Sequence, residues 1–422
     1  MKKLICLVLS LALILGTVAA SADAIEINGS EKRNIKIKEA GLNPSADEMI
    51  DQNISPTTGR QLDTLDIPDG FVGTARTLTY QPIMVQISNA GGGVNIDSKG
   101  RPATAPVNLH YADVVYEACQ ANSNTGGSLT RFSAVFSDLV PDYVGFVRST
   151  RATHPRIRQE WDCAFVTSGY NTSVTDVSGQ WSKFKVKNPY SATEEDPGLI
   201  YVQNFSSKPW VKYMFHCTGI SDANDHVYQL ANIVQNIIPK DHVPANHTYK
   251  FTDELPEGGD SGEIVYVTFG GGKKTDSRLE YNEETKEYYR YVPLSGTEDF
   301  LYRSQVLVNA KISKVNVNGA RVSMVNPDNR IYGEPITFTN IIIQGIKMGW
   351  YGGERPNPTL TGTGIADYFM GGKHYRGVWQ RNDMNDRTVF YGEDGKEISL
   401  LRGKTLIVLM DYNSKGRNVK YE

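Results

Sequence analysis

Two arginines three residues apart close an apolar segment in Val144-Gly145-Phe146-Val147-Arg148-Ser149-Thr150-Arg151, and Thr153-His154-Pro155 follow at once. Proline is favoured in the first turn of a helix, where its missing N–H costs nothing. The expected local order is strand, turn and helix start. That order sets Arg148, Ser149 and Arg151 beside free backbone N–H groups and the positive end of a helix dipole, a combination that binds anions. The same residue types also describe arginines paired with acids inside the fold, and the residues alone weigh the two readings equally.

Other groups offer proton transfer. His226, flanked by Asp225 and followed by Tyr228 near an expected helix start, is the best general acid or base. Asp113 and Glu117 lie four apart around an expected strand, so the two-residue period puts them on one face. With Arg131, Arg148 and Arg151 they form a candidate acid/base pair, a metal site or a buried ion-pair network, the network being the plainer outcome. Glu117 and the three arginines are expected to converge, because charges that interrupt apolar strands are too costly to bury alone. Familiar alternatives fail on spacing. Gly270–Thr275 lacks the first glycine and the hydroxyl of a phosphate loop, and there is no G-x-S-x-G, H-E-x-x-H or complete EF-hand loop. Asp383–Asp386 reads as a solvated turn, and no metal is assigned. The aromatics Tyr170, Trp181, Trp210, Trp350, Tyr351 and Trp379 could stack on sugars, though most aromatics in a chain of 422 residues are core.

Stepping out from these residues, 1–22 has the form of an export signal. Lys2 and Lys3 precede an apolar run from Leu4 to Val18, and small residues end at Ala22. Cleavage before Asp23 or Ile25 is expected, giving a secreted or extracytoplasmic protein with no transmembrane segment. Cys6 lies inside the apolar run rather than at the cleavage point, so the expectation is a non-lipidated chain. Losing Lys2 and Lys3 takes the formal charge from −3 to −5, which argues against nucleic acid as a partner. Cys119, Cys163 and Cys217 remain, too few and too widely spaced for a disulfide framework; buried thiols are favoured over one disulfide.

The polar stretch 23–76 reads as a linker or flexible arm. Apolar runs at Pro82–Ile87, Ala112–Ala118, Phe132–Phe136 and Asp162–Thr167 are expected strands, with helical spacing over Arg156–Trp161 and Asp225–Ile238. They predict an α/β layered N-terminal domain over 77–250. Short β runs and hairpin signals at Asn318-Gly319 and Asp394-Gly395 predict a mostly antiparallel β C-terminal domain over 260–414, so the chain is α/β or α+β overall.

Ser55-Pro56-Thr57-Thr58-Gly59, Pro82–Val85 with Asn89, Ala112–Glu117, Gly126–Phe132 and Val144–Arg151 occur in an order that resembles the YerB-like lipoproteins of the DUF3048 family. Asp225–Tyr228 is similar to the family's Pro-His-Asn-x-Tyr segment, and Thr339–Ile343, Gly362–Gly364 and Gly377–Arg381 follow its C-terminal part. The resemblance implies an exported bacterial envelope protein and names no reaction. This chain departs from the pattern at Asn124-Thr125, where an acid is usual, at Phe146, where proline is usual, and in lacking the anchoring cysteine. The resulting expectation is an envelope protein that holds an anionic or cell-wall glycan ligand with Arg131, Arg148, Ser149, Arg151 and Asn89. Alternatives are a hydrolase of the same cleft, using His226, Asp113 or Glu117, and a protein-interaction module. Cofactor and oligomeric state are left open.

Overall fold

The structure, a computed structural model, describes residues 24–38, 42–89, 105–120, 129–168, 199–201, 209–218, 225–270, 276–293, 299–317, 320–351, 355–414 and 416–422. The export signal, most of the phosphate-loop lookalike, Tyr170 and Trp181 lie outside the described residues.

Its centre is one mixed sheet. Across it run Asp260–Ser261, Lys373–Arg381, Gly362–Met370, Asn340–Gly345, Thr405–Met410, Val114–Cys119, Thr130–Phe136, Ile83–Ser88, Ala164–Thr167 and Leu199–Tyr201. The four strands expected in the first half are all present and adjacent. Each carries apolar side chains on both faces because both faces are covered, which is why they read as mainly apolar runs rather than as strict alternation. Val85, Ile87, Val115, Phe132 and Val408 meet a second sheet through Val265, Leu279, Tyr288 and Val419. Met84, Tyr116, Val135, Ile407 and Leu409 meet the helix Thr153–Trp161 through Ile157 and Trp161. Trp161 is wholly buried, stacks on His247 at 3.8 Å and donates to the Tyr116 hydroxyl at 3.0 Å.

Three expectations need correction. Among the described residues the molecule is mostly β with few helices, where an α/β layer was expected of the first half. The span 225–238 splits into a strand, His226–Gln229, and a seven-residue helix, Leu230–Asn236, because Val227 and Tyr228 are taken up by pairing with Met214–Cys217 and Tyr143–Gly145. Thr405–Met410 pairs in parallel with Val114–Cys119, so the two segments share a sheet and both cores. Third, the arm is built in. Ile25–Glu26 pairs with the strand Asn418–Tyr421, Ser45 and Glu48 form a capping box on the helix Ala46–Asp51, and Ser55, Thr57 and Thr58 are buried. Among its polar residues, Ser55 and Thr58 satisfy the buried Asp138 carboxylate and Arg33 that of Asp367.

The second half is rich in short strands, as its hairpin signals predict. Val317 stands opposite Ala320, leaving two residues for the Asn318-Gly319 connection, itself outside the described residues. Gly395 takes φ +76° in the tight turn at Asp394-Gly395. Cys119, Cys163 and Cys217 are buried and form no disulfide.

The shared sheet makes a prediction. Residues 77–250 and 260–414 expressed separately should each fail to fold, since the cut leaves Val114–Cys119 and Thr405–Met410 as long apolar edges with uncovered faces. Circular dichroism melts check this; a cooperative transition in either piece would contradict it.

Candidate functional site

The segment Val147–Arg151 lies between two sheets. Val147 donates its N–H to the His226 carbonyl at 2.8 Å, and Arg148 donates its own to the Gln86 carbonyl at 2.8 Å. The Arg148 carbonyl accepts from Thr167 Oγ1 at 3.0 Å and from the Ser168 N–H at 3.1 Å. Ile83–Ser88 and Ala164–Thr167 are parallel and both end here, so the segment crosses the carboxyl ends of two parallel strands, a common ligand position in such sheets. Arg131 reaches it from the neighbouring strand, donating to the Ser149 carbonyl. Arg131, Arg148, Ser149 and Arg151 therefore adjoin, with His226 beside them.

The helix start is as expected, with Pro155 in the first turn of Thr153–Trp161 and no acid there. His154 Nδ1 accepts the Arg151 N–H at 2.9 Å, which puts the ring proton on Nε2. Burial, then the charges of Arg131 and Arg151, push the His154 pKa well below the usual range, so the ring is neutral. Nε2–H and the Thr153 hydroxyl are buried with no hydrogen-bond partner among the described residues. Burial also lowers the pKa of Arg148, and no carboxylate among the described residues opposes that.

Glu117 and Asn89 do not join this group. Directly opposed residues share a sheet face, and Glu117 stands opposite Phe132 while Arg131 stands opposite Ala118. Glu117 therefore points into the other core. There it accepts from Asn89 Nδ2 and Thr130 Oγ1, each at 2.8 Å, and lies 3.3 Å from Nη2 of Arg290. Both members of the ion pair are fully buried. The convergence of Glu117 with the arginines fails because a one-residue step along a strand reverses the face. Arg290 was legible in principle: in Glu287–Pro293 it holds an inward phase between Tyr288 and Val292, where an apolar residue is the rule.

Asp113 is not paired with Glu117 either. It enters the sheet at the far end of Val114–Cys119, accepting the N–H groups of Ser137 at 2.6 Å and Asp138 at 2.9 Å. Burial, then the neighbouring Asp138 charge, raises the Asp113 pKa well above the usual range, and burial raises that of Asp138. Asp138 takes the Ser55 and Thr58 hydroxyls at 2.6 Å each, so this pair anchors the arm. A cavity of about 340 Å³ opens beside it, lined also by His110 and Lys404. A cavity of about 870 Å³ lies elsewhere, between the arm and Trp379; the Arg33 charge that faces it is already paired with Glu31 and Asp367.

"Protein of unknown function (DUF3048) N-terminal domain" matches residues 72–216 and "Protein of unknown function (DUF3048) C-terminal domain" matches 265–407. The chain belongs to the DUF3048 family. Its YerB-like character rests on "Putative lipoprotein YerB" of Bacillus subtilis, 26% identical over 199 residues. That match takes in 46% of this chain and 52% of the relative, about half its length. The crystal structure of YerB from Bacillus subtilis has a TM-score of 0.55 at 18% identity, covering 87% of this chain and 99% of that one, a likeness of fold. The DUF3048 segments meet at the parallel pairing of Thr405–Met410 with Val114–Cys119. The segment Val144–Arg151 and the helix start that follows it lie within the residues matched by the N-terminal domain. The lipoprotein name of the relative runs against the expectation of a non-lipidated chain; among the described residues no helix is long and apolar enough to cross a membrane.

His226 is placed differently from expectation in this DUF3048 chain. It is on a strand, directly opposite His216 of Met214–Cys217, with Asp225 between the two rings. His216 was missed because no spacing in the sequence announces a cross-strand neighbour.

Proposed function

We propose that this is an exported, envelope-associated protein that binds an anionic ligand, a phosphate- or carboxylate-bearing wall glycan, at Arg131, Arg148, Ser149 and Arg151. Arg148 carries the reading: its guanidinium is largely withdrawn from water, and no carboxylate among the described residues compensates it. An uncompensated charge of that kind is costly, and a bound anion removes the cost. The neutral His154 Nε2–H and the Thr153 hydroxyl are further donors at the same helix start. Asp113 and Glu117 lie on separate networks, so nothing in their placement supports the hydrolase alternative.

Calorimetric titration with inorganic phosphate, and then with a phosphodiester-linked glycan polymer, tests this. Arg148→Ala should weaken binding about tenfold or more, one charge-assisted contact, while the midpoint of thermal unfolding moves by no more than about 2 °C. Added salt should weaken binding further. Equal affinity in wild type and variant, or a large fall in thermal stability, would remove the anion site.

A further inference from the structure

We propose that His216, Asp225 and His226 form a three-ligand site for a divalent ion of the zinc class, with its fourth position open to solvent. Each residue offers one ligand atom, and the three atoms lie within 4.8 Å of one another. The Asp225 carboxylate is in the middle: Oδ2 is 2.9 Å from His216 Nδ1 and Oδ1 is 3.4 Å from His226 Nδ1. Ligand atoms around a tetrahedral ion with bonds of about 2.0–2.2 Å are about 3.3–3.6 Å apart. An entering ion would therefore need only small side-chain shifts.

Three elements hold the geometry. His216 and His226 are directly opposed on adjacent antiparallel strands, which puts both rings on one face with centroids 4.8 Å apart. Asp225 precedes the strand His226–Gln229 by one residue, and its carbonyl accepts the Cys217 N–H at 2.8 Å, which fixes its backbone beside the pair. Asp225 Oδ1 is buried and makes no hydrogen bond among the described residues, an acceptor that an ion would satisfy. Access is asymmetric in the way an exchangeable site needs: the Asp225 side chain is 4% exposed and each histidine 22%.

The donor set selects the ion. Two imidazole nitrogens and one carboxylate oxygen suit zinc and its neighbours, whereas calcium and magnesium take oxygen ligands. Three protein ligands leave room for a water or a ligand atom, unlike a closed structural zinc site. The site adjoins the arginine segment through the Val147–His226 hydrogen bond, but it does not depend on the anion reading and is tested without any anion.

The experiment is titration of the untagged full chain with zinc chloride by calorimetry, with magnesium and calcium as controls. One zinc per chain is expected, with no heat from the controls. His216→Gln and His226→Gln should each weaken zinc binding about 100-fold or more, and Asp225→Asn about tenfold or more. Cobalt(II) added to the wild-type protein gives a readout that needs no variant: visible d–d bands, and paramagnetic shifts of histidine ring signals in NMR. No zinc binding by the wild type overturns the proposal. So does binding that survives His216→Gln combined with His226→Gln, or cobalt that leaves the histidine signals unmoved.

Discussion

Arg290→Met is expected to cost about 3–5 kcal/mol of folding stability at neutral pH, the usual penalty for stranding one partner of a buried pair. Arg290 is wholly buried, with its guanidinium 5.0 Å from the Phe132 ring centre and 4.9 Å from that of Tyr302. Its charge faces Glu117, which also takes Asn89 and Thr130. Burial raises the Glu117 pKa even against the opposing effects of Arg290 and the two hydrogen bonds. Without the arginine the carboxyl will hold its proton to higher pH still. A raised native pKa contributes stability below the unfolded value that is lost as pH rises through the native value. The variant should therefore be less damaged near pH 5 than near pH 8. Adding Glu117→Gln should recover part of the loss at pH 8 by removing the stranded charge. Urea unfolding of the three proteins at both pH values checks this. A loss under about 1 kcal/mol at pH 8, the worth of a surface pair, would show that the pair does not carry the junction between the two halves.

Acid should destabilise the wild type through His110, by an amount on the order of 3–5 kcal/mol between pH 6.5 and 3. Burial, then the Lys404 charge, lowers the His110 pKa to about 3. The unfolded histidine takes its proton near pH 6.5, so the folded state binds fewer protons over the whole interval. The His110 contribution is complete above 6.5 and is lost as pH falls toward 3. Its surroundings admit no charged ring: Nδ1 has no hydrogen-bond partner among the described residues, and Lys404 donates to the His110 carbonyl at 3.4 Å. Glu160 adds to acid lability below pH 4.5. Burial alone would raise its pKa, but Arg381, His247 and the Thr388 N–H outweigh that and hold it at about 2. Glu117, Asp113 and Asp138, all raised, work in the opposite direction on acidification, so the total curve mixes signs. The difference between wild type and His110→Gln isolates one group. Its stability curve should be flatter from pH 6.5 downward, and parallel curves would mean that His110 titrates normally in the folded protein.

Local pattern in this chain determined which residues form strands. Ile83–Ile87, Val114–Ala118, Ile341–Ile343 and Leu406–Met410 are apolar but for Gln86 and Glu117 because both of their faces are covered, and that composition is visible in any window. The helix start at Thr153 was legible for a similar reason: Pro155 in the first turn is a signal carried by neighbours in sequence. The ordered family segments, from Ser55–Gly59 to Gly377–Arg381, marked the chain as DUF3048-like without any knowledge of contacts.

Strand order and facing could be decided only in three dimensions. Thr405–Met410 and Val114–Cys119 come from opposite ends of the chain, and no local signal says they pair. Once they do, the two halves become one sheet, and the polar arm becomes the cover of Asp113 and Asp138. Glu117 and Arg131 illustrate the finer limit. Both looked like members of one cluster, yet register sends one into each core, to Arg290 in the first case and to Ser149 in the second. His216 and His226 show the converse, since two histidines with nothing between them in the sequence to link them become direct neighbours across a ladder. Side-chain direction alternates at every residue of a strand, so a site on a sheet is set by the pairing of distant strands, and that pairing is a tertiary quantity.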